Sequence, residues 1–280
     1  MRIEAYTGNH DYAAGLVLTG MPEQAYHSHE SISKSGLDLV NKSPAHYHNA
    51  PPREATRTME IGSATHAALL EPERFEQEWV IVDVKDKRQK EWKAAVAEFG
   101  SDRVLTESEC ADIRSMQNAI RASHEACQLI DRATHFEASA FAEDPDTGVL
   151  VRCRYDLIGP GLVDLKTSKD ARYDPFSRSV WDYRYHVQAA LYSDIWSWLT
   201  GDHEPFQFIA VEPGFPHTVA VYTLDDDALE QGRREYRSNL NTYALCLESG
   251  HWPKYEPEYN VLSLPGWVMN QIENELEVVL

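Results

Sequence analysis

Two aspartates and a lysine lie close together in the second half of the chain, as Asp156, Asp164 and Lys166. Hard divalent cations such as Mg²⁺ take oxygen ligands and usually keep several waters, so a pair of aspartates suits them. A lysine beside them would orient or deprotonate an attacking water and offset the negative charge that builds on a phosphate. The three residues therefore predict metal-assisted phosphodiester hydrolysis, with Mg²⁺ as the expected cofactor and Mn²⁺ as the alternative.

The predicted strands explain how these side chains would meet. Asp156 lies near the end of one strand and Asp164 within the next, on either side of a Gly-Pro-Gly turn. Side chains two positions apart on a strand share a face, so Asp164 and Lys166 point the same way. Glu137, on the preceding strand, would supply a third carboxylate. The alternative is that these are ordinary strand-end acids with Lys166 as a surface salt-bridge partner, because short motifs also match by chance.

Three further polar residues lie in apolar helical segments. His66 is part of IGSATHAALL, where a polar ring needs a partner or a site to face, although a lone histidine is more often a satisfied core group. Gln188 and Tyr192 are four residues apart on the helix after the lysine strand, so they project from one face. There they would meet the scissile strand or its bases.

The periodicity predicts an α/β fold whose front half is mostly helical. We expect one domain over residues 1–280, with a helical portion at about 30–132, a sheet core at about 133–250 and a C-terminal extension at about 251–280. The predicted elements are helices at 33–49, 59–70, 87–99 and 107–130, a three-strand meander at 136–142, 149–159 and 161–168, a helix at 175–199, strands at 206–212 and 218–223, and a helix at 226–248.

Composition limits the function classes. The first residues contain no leader-like apolar stretch and no window is apolar enough to span a membrane, so we expect a soluble, cytoplasmic protein. The four cysteines are scattered, which argues against a zinc or iron-sulfur site. The net charge of −19 argues against nucleic-acid binding by bulk electrostatics, although Arg154 and other basic residues surround the predicted centre.

Several segments, in this order, carry a resemblance that is more specific than the short motif: ISKSGLDLV, GSATH with LLEPERF, FEASAF, EDPDTGVLVRCRYD, VDLKTS, DYRYHVQAALYSD, EYRSNLNTYALCL and LSLPGW. From about residue 32 to 267 the chain resembles the nuclease domain of RecE-type exonucleases (exonuclease VIII). These belong to the PD-(D/E)XK superfamily, with lambda exonuclease and the RecB nuclease domain. The resemblance implies a restriction-endonuclease-like core, a central mixed β-sheet flanked by helices.

The resemblance also implies roles for individual residues. Asp156 and Asp164 look like metal ligands, together with His66 of a G-x-x-x-H motif and the Leu165 carbonyl, while Glu137 approaches the metal. Lys166 looks like the catalytic lysine. The DNA-binding residues expected from the resemblance and the local basic charge are Gln188, Tyr192, Arg154, and Ser33 and Ser35, whose helix start would bind a 5′-phosphate. Helix N-capping is the default role for either serine.

The activity implied is 5′→3′ digestion of linear double-stranded DNA, which leaves a 3′ single-stranded tail for a RecT-type annealing protein. Family members form closed rings, so we expect a homo-oligomeric ring of three or four subunits. Enclosing DNA in a ring would also reconcile nuclease activity with an acidic surface. The alternatives are an endonuclease or single-strand-specific enzyme on the same core, and a non-catalytic DNA mimic or recombination partner. The scattered cysteines disfavour an iron-sulfur nuclease of the RecB type.

Overall fold

The computed structural model describes residues 3–51, 55–255 and 264. The strands in this part are β1 (Ile3–Ala5), β2 (Leu16–Thr19), β3 (Ile32–Ser33), β4 (Val80–Val82), β5 (Val104–Thr106), β6 (His135–Glu143), β7 (Leu150–Gly159), β8 (Gly161–Thr167), β9 (Phe206–Val211) and β10 (Val219–Thr223). The helices are α1 (Glu23–Ser28), α2 (Lys34–Lys42), α3 (Pro44–His48), α4 (Arg57–Leu70), α5 (Pro72–Glu78), α6 (Lys90–Phe99), α7 (Glu107–Ala122), α8 (His124–Asp131), α9 (Tyr173–Asp182), α10 (Tyr185–Thr200) and α11 (Asp226–Ser249).

One mixed sheet organises the described part of the chain. Its strands follow the order β1, β2, β6, β7, β8, β9 and β10, and the short β3 pairs with β7 beside them. β6, β7 and β8 form an antiparallel meander, whereas β8 and β9 run parallel. The predicted α/β class, with a central mixed sheet flanked by helices, is confirmed.

Helices cover both faces of this sheet. One apolar cluster joins the sheet to α2, α9, α10 and α11, and the other joins it to α4, α5, α7 and α8. Along β8, Leu162 faces the first cluster and Val163 the second. A strand buried on both faces normally carries only apolar residues. The charged residues Asp164 and Lys166 in this strand therefore need a specific reason to be there.

A close helix crossing positions α10 beside the sheet. Gly232 on α11 lies so near α10 that a Cβ there would be 2.2 Å from the His186 carbonyl oxygen. No side chain fits at that distance, so glycine is required where α11 crosses the start of α10. Gln188 lies two residues further along α10, so the helix crossing also fixes its position beside β8.

The structure corrects three helix predictions, because each predicted segment is two helices. The break within 33–49 is at Ser43, which caps α3 ahead of a proline, and the break within 107–130 is at Ser123, which caps α8. The break within 175–199 is at Arg184, whose backbone is left-handed with φ of 56°. The first two carry a local capping signal. Arg184 instead forms ion pairs with two other helices, a tertiary cause that periodicity does not reveal.

The predicted front half is mostly helical but also contains the short strands β1 to β5, which the pattern analysis missed. Each spans two to four residues, too few for a period of two to be recognised. The predicted C-terminal extension lies largely outside the described residues. Within the part that the structure describes, no helix combines the length and apolarity needed to cross a membrane.

Candidate active site

Three acidic residues lie in a row across the middle of the meander. Glu137 is on β6, Asp156 on β7 and Asp164 on β8. The residues on either side of Glu137 pair with those on either side of Asp156, so the two acids are opposite one another. The residue after Asp156 pairs with the one before Asp164 in the same way. Sheet register therefore brings together carboxylates from three adjacent strands.

The backbone is irregular at this row. Glu137 has a positive φ of 47°, which is uncommon for a residue other than glycine. The Asp156 Oδ2 accepts a hydrogen bond of 2.6 Å from the backbone N–H of Leu165, so a side chain replaces a backbone acceptor between β7 and β8. Irregular backbone of this kind is held by its surroundings and concentrates at functional sites.

His66 reaches the row from α4, which Thr56 caps by accepting a hydrogen bond from the Met59 N–H. The His66 Nε2 lies 3.0 Å from the Leu165 carbonyl oxygen. Because a carbonyl only accepts, Nε2 carries the proton of this hydrogen bond. The ring is thereby oriented so that Nδ1 lies 3.6 Å from Glu137 Oε1 and 3.5 Å from Asp156 Oδ2.

The carboxylates at this site outnumber the positively charged groups that contact them. Burial lowers the pKa of His66, but Asp156 and the hydrogen bond to Glu137 outweigh that effect and raise it to about 9. Burial raises the pKa of Asp156, and the nearby carboxylates of Asp164 and Glu137 add to the rise against the opposing charge of His66, so the pKa is about 7. Both groups therefore keep their protons to a higher pH than a free histidine or aspartate does.

The donor set fits a divalent metal ion. Ligand atoms of His66, Glu137 and Asp156 all lie within 4.8 Å of one another. Two carboxylates and an imidazole form a mixed oxygen and nitrogen site of a kind that binds divalent cations. The hydrogen bond from His66 Nε2 to Leu165 leaves Nδ1 as the ligand atom, an arrangement common for metal-binding histidines. The Leu165 carbonyl, predicted as a further ligand, here contacts the histidine.

Lys166 and Asp164 form the other half of the site. The Lys166 Nζ lies 2.6 Å from Asp164 Oδ2 and donates a 3.0 Å hydrogen bond to Gln188 Oε1. Gln188 Nε2 in turn donates to Asp164 Oδ1. Burial lowers the pKa of Lys166, but the negative charges of Asp164 and Asp156 outweigh it and raise the pKa. Lys166 is therefore a fixed ammonium group at neutral pH.

The structure buries Gln188 and partly buries Tyr192. Gln188 is buried and its amide is engaged by Asp164 and Lys166. The Tyr192 ring packs edge-on against Tyr155, with centroids 5.7 Å apart, and against Phe206. Gln188 thus fixes the positions of Asp164 and Lys166 from the α10 side of the sheet. Tyr192 belongs to the packing around the sheet. Direct contact of either residue with DNA stays a prediction.

The other predicted DNA-binding residues lie outside this cluster. Ser33 accepts a hydrogen bond from the Gly36 N–H and caps α2, its default role, and Ser35 is exposed in the first turn of that helix. Arg154 donates to the Ser139 hydroxyl at 2.9 Å and to the Met21 carbonyl at 2.8 Å. Among the described residues, no hydrogen bond or ion pair links Ser33, Ser35 or Arg154 to the three carboxylates.

Tyr185 is a site residue that the sequence analysis missed. Its ring lies against the Lys166 ammonium, with Nζ 4.5 Å from the ring centroid, a cation–π contact. Tyr185 precedes Gln188 by three positions on α10, so both lie on the helix face that meets β8. The three-residue spacing between Tyr185 and Gln188 in a predicted helix is the sequence signal for this position.

Comparison with known proteins agrees with this geometry. A solved structure from Eubacterium rectale, described as a "putative exonuclease", is 16% identical with a TM-score of 0.60, over 90% of this chain and 98% of that chain. This likeness shows a shared fold. A second solved structure, of a protein named SSO0001, is 15% identical over 76% of this chain and 90% of that chain. Its TM-score of 0.27 is too low to show a shared fold. No curated protein matches the chain.

A family model provides the assignment. The model described as a PDDEXK-like domain of unknown function (DUF3799) matches residues 33–263. This range contains His66, the three carboxylates and Lys166. The name describes the acidic pair and lysine that the structure brings together on β7 and β8. The chain belongs to this family of PDDEXK-like domains.

Proposed function

We propose that this protein is a metal-dependent deoxyribonuclease that digests linear double-stranded DNA from its 5′ ends and leaves 3′ single-stranded tails. The proposed hydrolysis rests on one observation, the row of Glu137, Asp156 and Asp164 between His66 and Lys166. Membership of the PDDEXK-like family supports a nuclease. The preference for ends rests on the resemblance to RecE-type exonucleases and on the description of the Eubacterium rectale protein as an exonuclease. The direction rests on the resemblance alone.

The residues divide the chemistry between them. A divalent ion held by His66, Glu137 and Asp156 would polarise the scissile phosphate and activate a water. The Lys166 ammonium would offer a positive charge to the phosphate and orient the attacking water. Asp164 and Gln188 hold the ammonium group in place, so little reorganisation is needed when charge develops.

Digestion of end-labelled linear duplex with Mg²⁺, with Mn²⁺ or with EDTA tests this proposal. We expect labelled nucleotides to be released from 5′ ends first, no release in EDTA, and no cleavage of a covalently closed circle. Lys166→Ala should lose activity while still binding DNA. Cleavage of the closed circle would make the protein an endonuclease. Absence of cleavage with either metal, or an active Lys166→Ala protein, would reject the proposed chemistry.

The assembly and the partner are part of the same proposal. A closed ring of three or four subunits would keep an acidic protein on DNA by enclosure, since the net charge of −19 gives no general attraction to phosphate. The 3′ tail would then pass to a single-strand annealing protein of the RecT type. Light scattering at working concentration is the direct check, and a monomer there would count against the ring.

A further inference from the structure

An exposed aromatic ring lies next to the reactive lysine. Tyr183 is in the turn between α9 and α10, and it is 63% exposed. Its ring stacks on Tyr185, with centroids 5.6 Å apart and planes inclined by 28°. Tyr185 in turn contacts the Lys166 ammonium. Two stacked rings therefore connect Lys166 to the surface.

The turn that carries Tyr183 is held by neighbouring helices. The Lys34 Nζ, on α2, donates a 2.8 Å hydrogen bond to the Tyr183 carbonyl. The next residue, Arg184, has a left-handed backbone, and its guanidinium pairs with Asp38 on α2 at 2.9 Å and with Glu235 on α11. Such a backbone is unfavourable for arginine unless the surroundings hold it. The exposed ring is thus positioned in advance, which reduces the ordering cost of binding.

The charges around the ring match a nucleic-acid strand. The Lys34 ammonium, which pairs with Asp38 at 2.7 Å, is bound to the Tyr183 carbonyl on one side. On the other side, beyond Tyr185, lies the Lys166 ammonium, which pairs with Asp164. A strand alternates flat bases with negative phosphates, so an exposed aromatic face next to the Lys166 site fits one base beside the phosphate that Lys166 would contact.

We infer that Tyr183 is a stacking platform for a nucleobase of the strand being cleaved, next to the phosphate that Lys166 contacts. The inference rests on the proposed nuclease function and adds a binding residue to it. Base stacking on an aromatic side chain contributes to binding without reading sequence. Tyr183 should therefore help to hold the strand whichever base lies beside the scissile phosphate.

The test compares Tyr183→Ala, Tyr183→Phe and Trp181→Ala on linear duplexes. Trp181 is a matched control, since it is 62% exposed near the same turn but stacks on His186. Tyr183→Ala should lower kcat/KM about 5- to 150-fold, the range for loss of one stacked base. Tyr183→Phe should retain activity because its ring still stacks, and Trp181→Ala should behave as wild type.

A second measurement uses two duplexes, each with one abasic residue, placed on one or the other side of the scissile phosphate. Removing that base should slow wild type and Tyr183→Phe by the same factor as the alanine substitution, and it should have no further effect on Tyr183→Ala. Equal slowing of Tyr183→Ala by the abasic residue would overturn the inference. So would an unchanged kcat/KM for Tyr183→Ala, or a smaller assembly of this variant in light scattering, which would mark an interface between subunits.

A binding measurement separates this inference from the proposed function. In EDTA, the fluorescence of a strand that contains 2-aminopurine at the same position should be quenched by wild type and not by Tyr183→Ala. If wild type cleaves no DNA but still shows this difference, the nuclease proposal fails and the stacking platform remains. If wild type cleaves DNA and the difference is absent, only the platform is rejected.

Discussion

Two clusters of partly buried carboxylates in this protein have opposite electrostatics. In the first, Arg57 on α4 donates to Glu60 and to Glu109, each at 2.9 Å, and Lys87 lies 2.6 Å from Glu109. Burial raises the pKa of Glu109, but the hydrogen bonds from Arg57 and Lys87 outweigh it and lower the pKa to about 2. In the second, at the active site, the pKa of Asp156 is raised to about 7.

The difference lies in the cations. Among the described residues, no arginine forms an ion pair with Glu137, Asp156 or Asp164, and their cationic neighbours are His66 and Lys166. Where arginine balances the charge, carboxylates hold elements together. Where negative charge is left over in a buried place, a proton or a metal ion must balance it. The unbalanced cluster is therefore the one that suits metal chemistry.

The largest effect should come from removing charge at the active site. We expect Asp156→Asn to lower DNA cleavage by at least about 10³-fold, because the metal loses a ligand. The same change should leave the free energy of unfolding of the metal-free protein unchanged or higher, since it relieves repulsion between carboxylates. Activity assays and urea unfolding in EDTA measure the two effects. A clear loss of metal-free stability would show that Asp156 is structural.

Arg57→Ala should do the reverse. It leaves Glu60 and Glu109 without their shared partner, which should cost about 2–3 kcal/mol of unfolding free energy for partly buried groups. Cleavage per folded molecule should be retained. Arg88→Ala is the control, because its side chain is 88% exposed and pairs with Asp86, so it should leave the free energy of unfolding essentially unchanged. Equal effects of the two substitutions in urea unfolding would remove the contrast.

Metal ions should stabilise the protein through the active-site cluster alone. At a hundredfold excess over Kd, Mg²⁺ or Mn²⁺ should add about 2.7 kcal/mol, visible as a higher Tm. Glu137→Gln should lose this gain and Arg57→Ala should keep it. Binding near pH 7 should also release protons, since metal must displace those held by His66 and Asp156, whose pKa values are raised to about 9 and about 7. Calorimetry in two buffers measures that release.

The smallest effect concerns acid stability. The folded-state pKa of Glu109 is about 2, below its ordinary value of 4.5. Its contribution should be fully present above pH 4.5 and lost as the pH falls through about 2. Glu109→Gln should therefore flatten the acid limb of stability against pH by about 1 kcal/mol, since partial exposure weakens the pair. Glu107→Gln, at an exposed position in the same helix turn, should leave the limb unchanged.

Much of the architecture was predictable from local pattern. The meander of β6, β7 and β8 follows from alternation and a glycine-rich turn, and the structure confirms it. The shared face of Asp164 and Lys166 follows from the two-residue period of a strand. The breaks at Ser43 and Ser123 also carry a local signal, because serine is a preferred N-cap residue.

What the sequence determined by itself is the set of reactive residue types and the strands that carry them, because periodicity and turn chemistry act between near neighbours. Only the tertiary structure decided that His66 turns Nδ1 towards the carboxylates and that Gln188 accepts a hydrogen bond from Lys166. The same is true of the break between α9 and α10 at Arg184. Each of these depends on a contact between residues 22 to 146 positions apart. Such contacts form only when the sheet and its helices pack, so no local pattern encodes them.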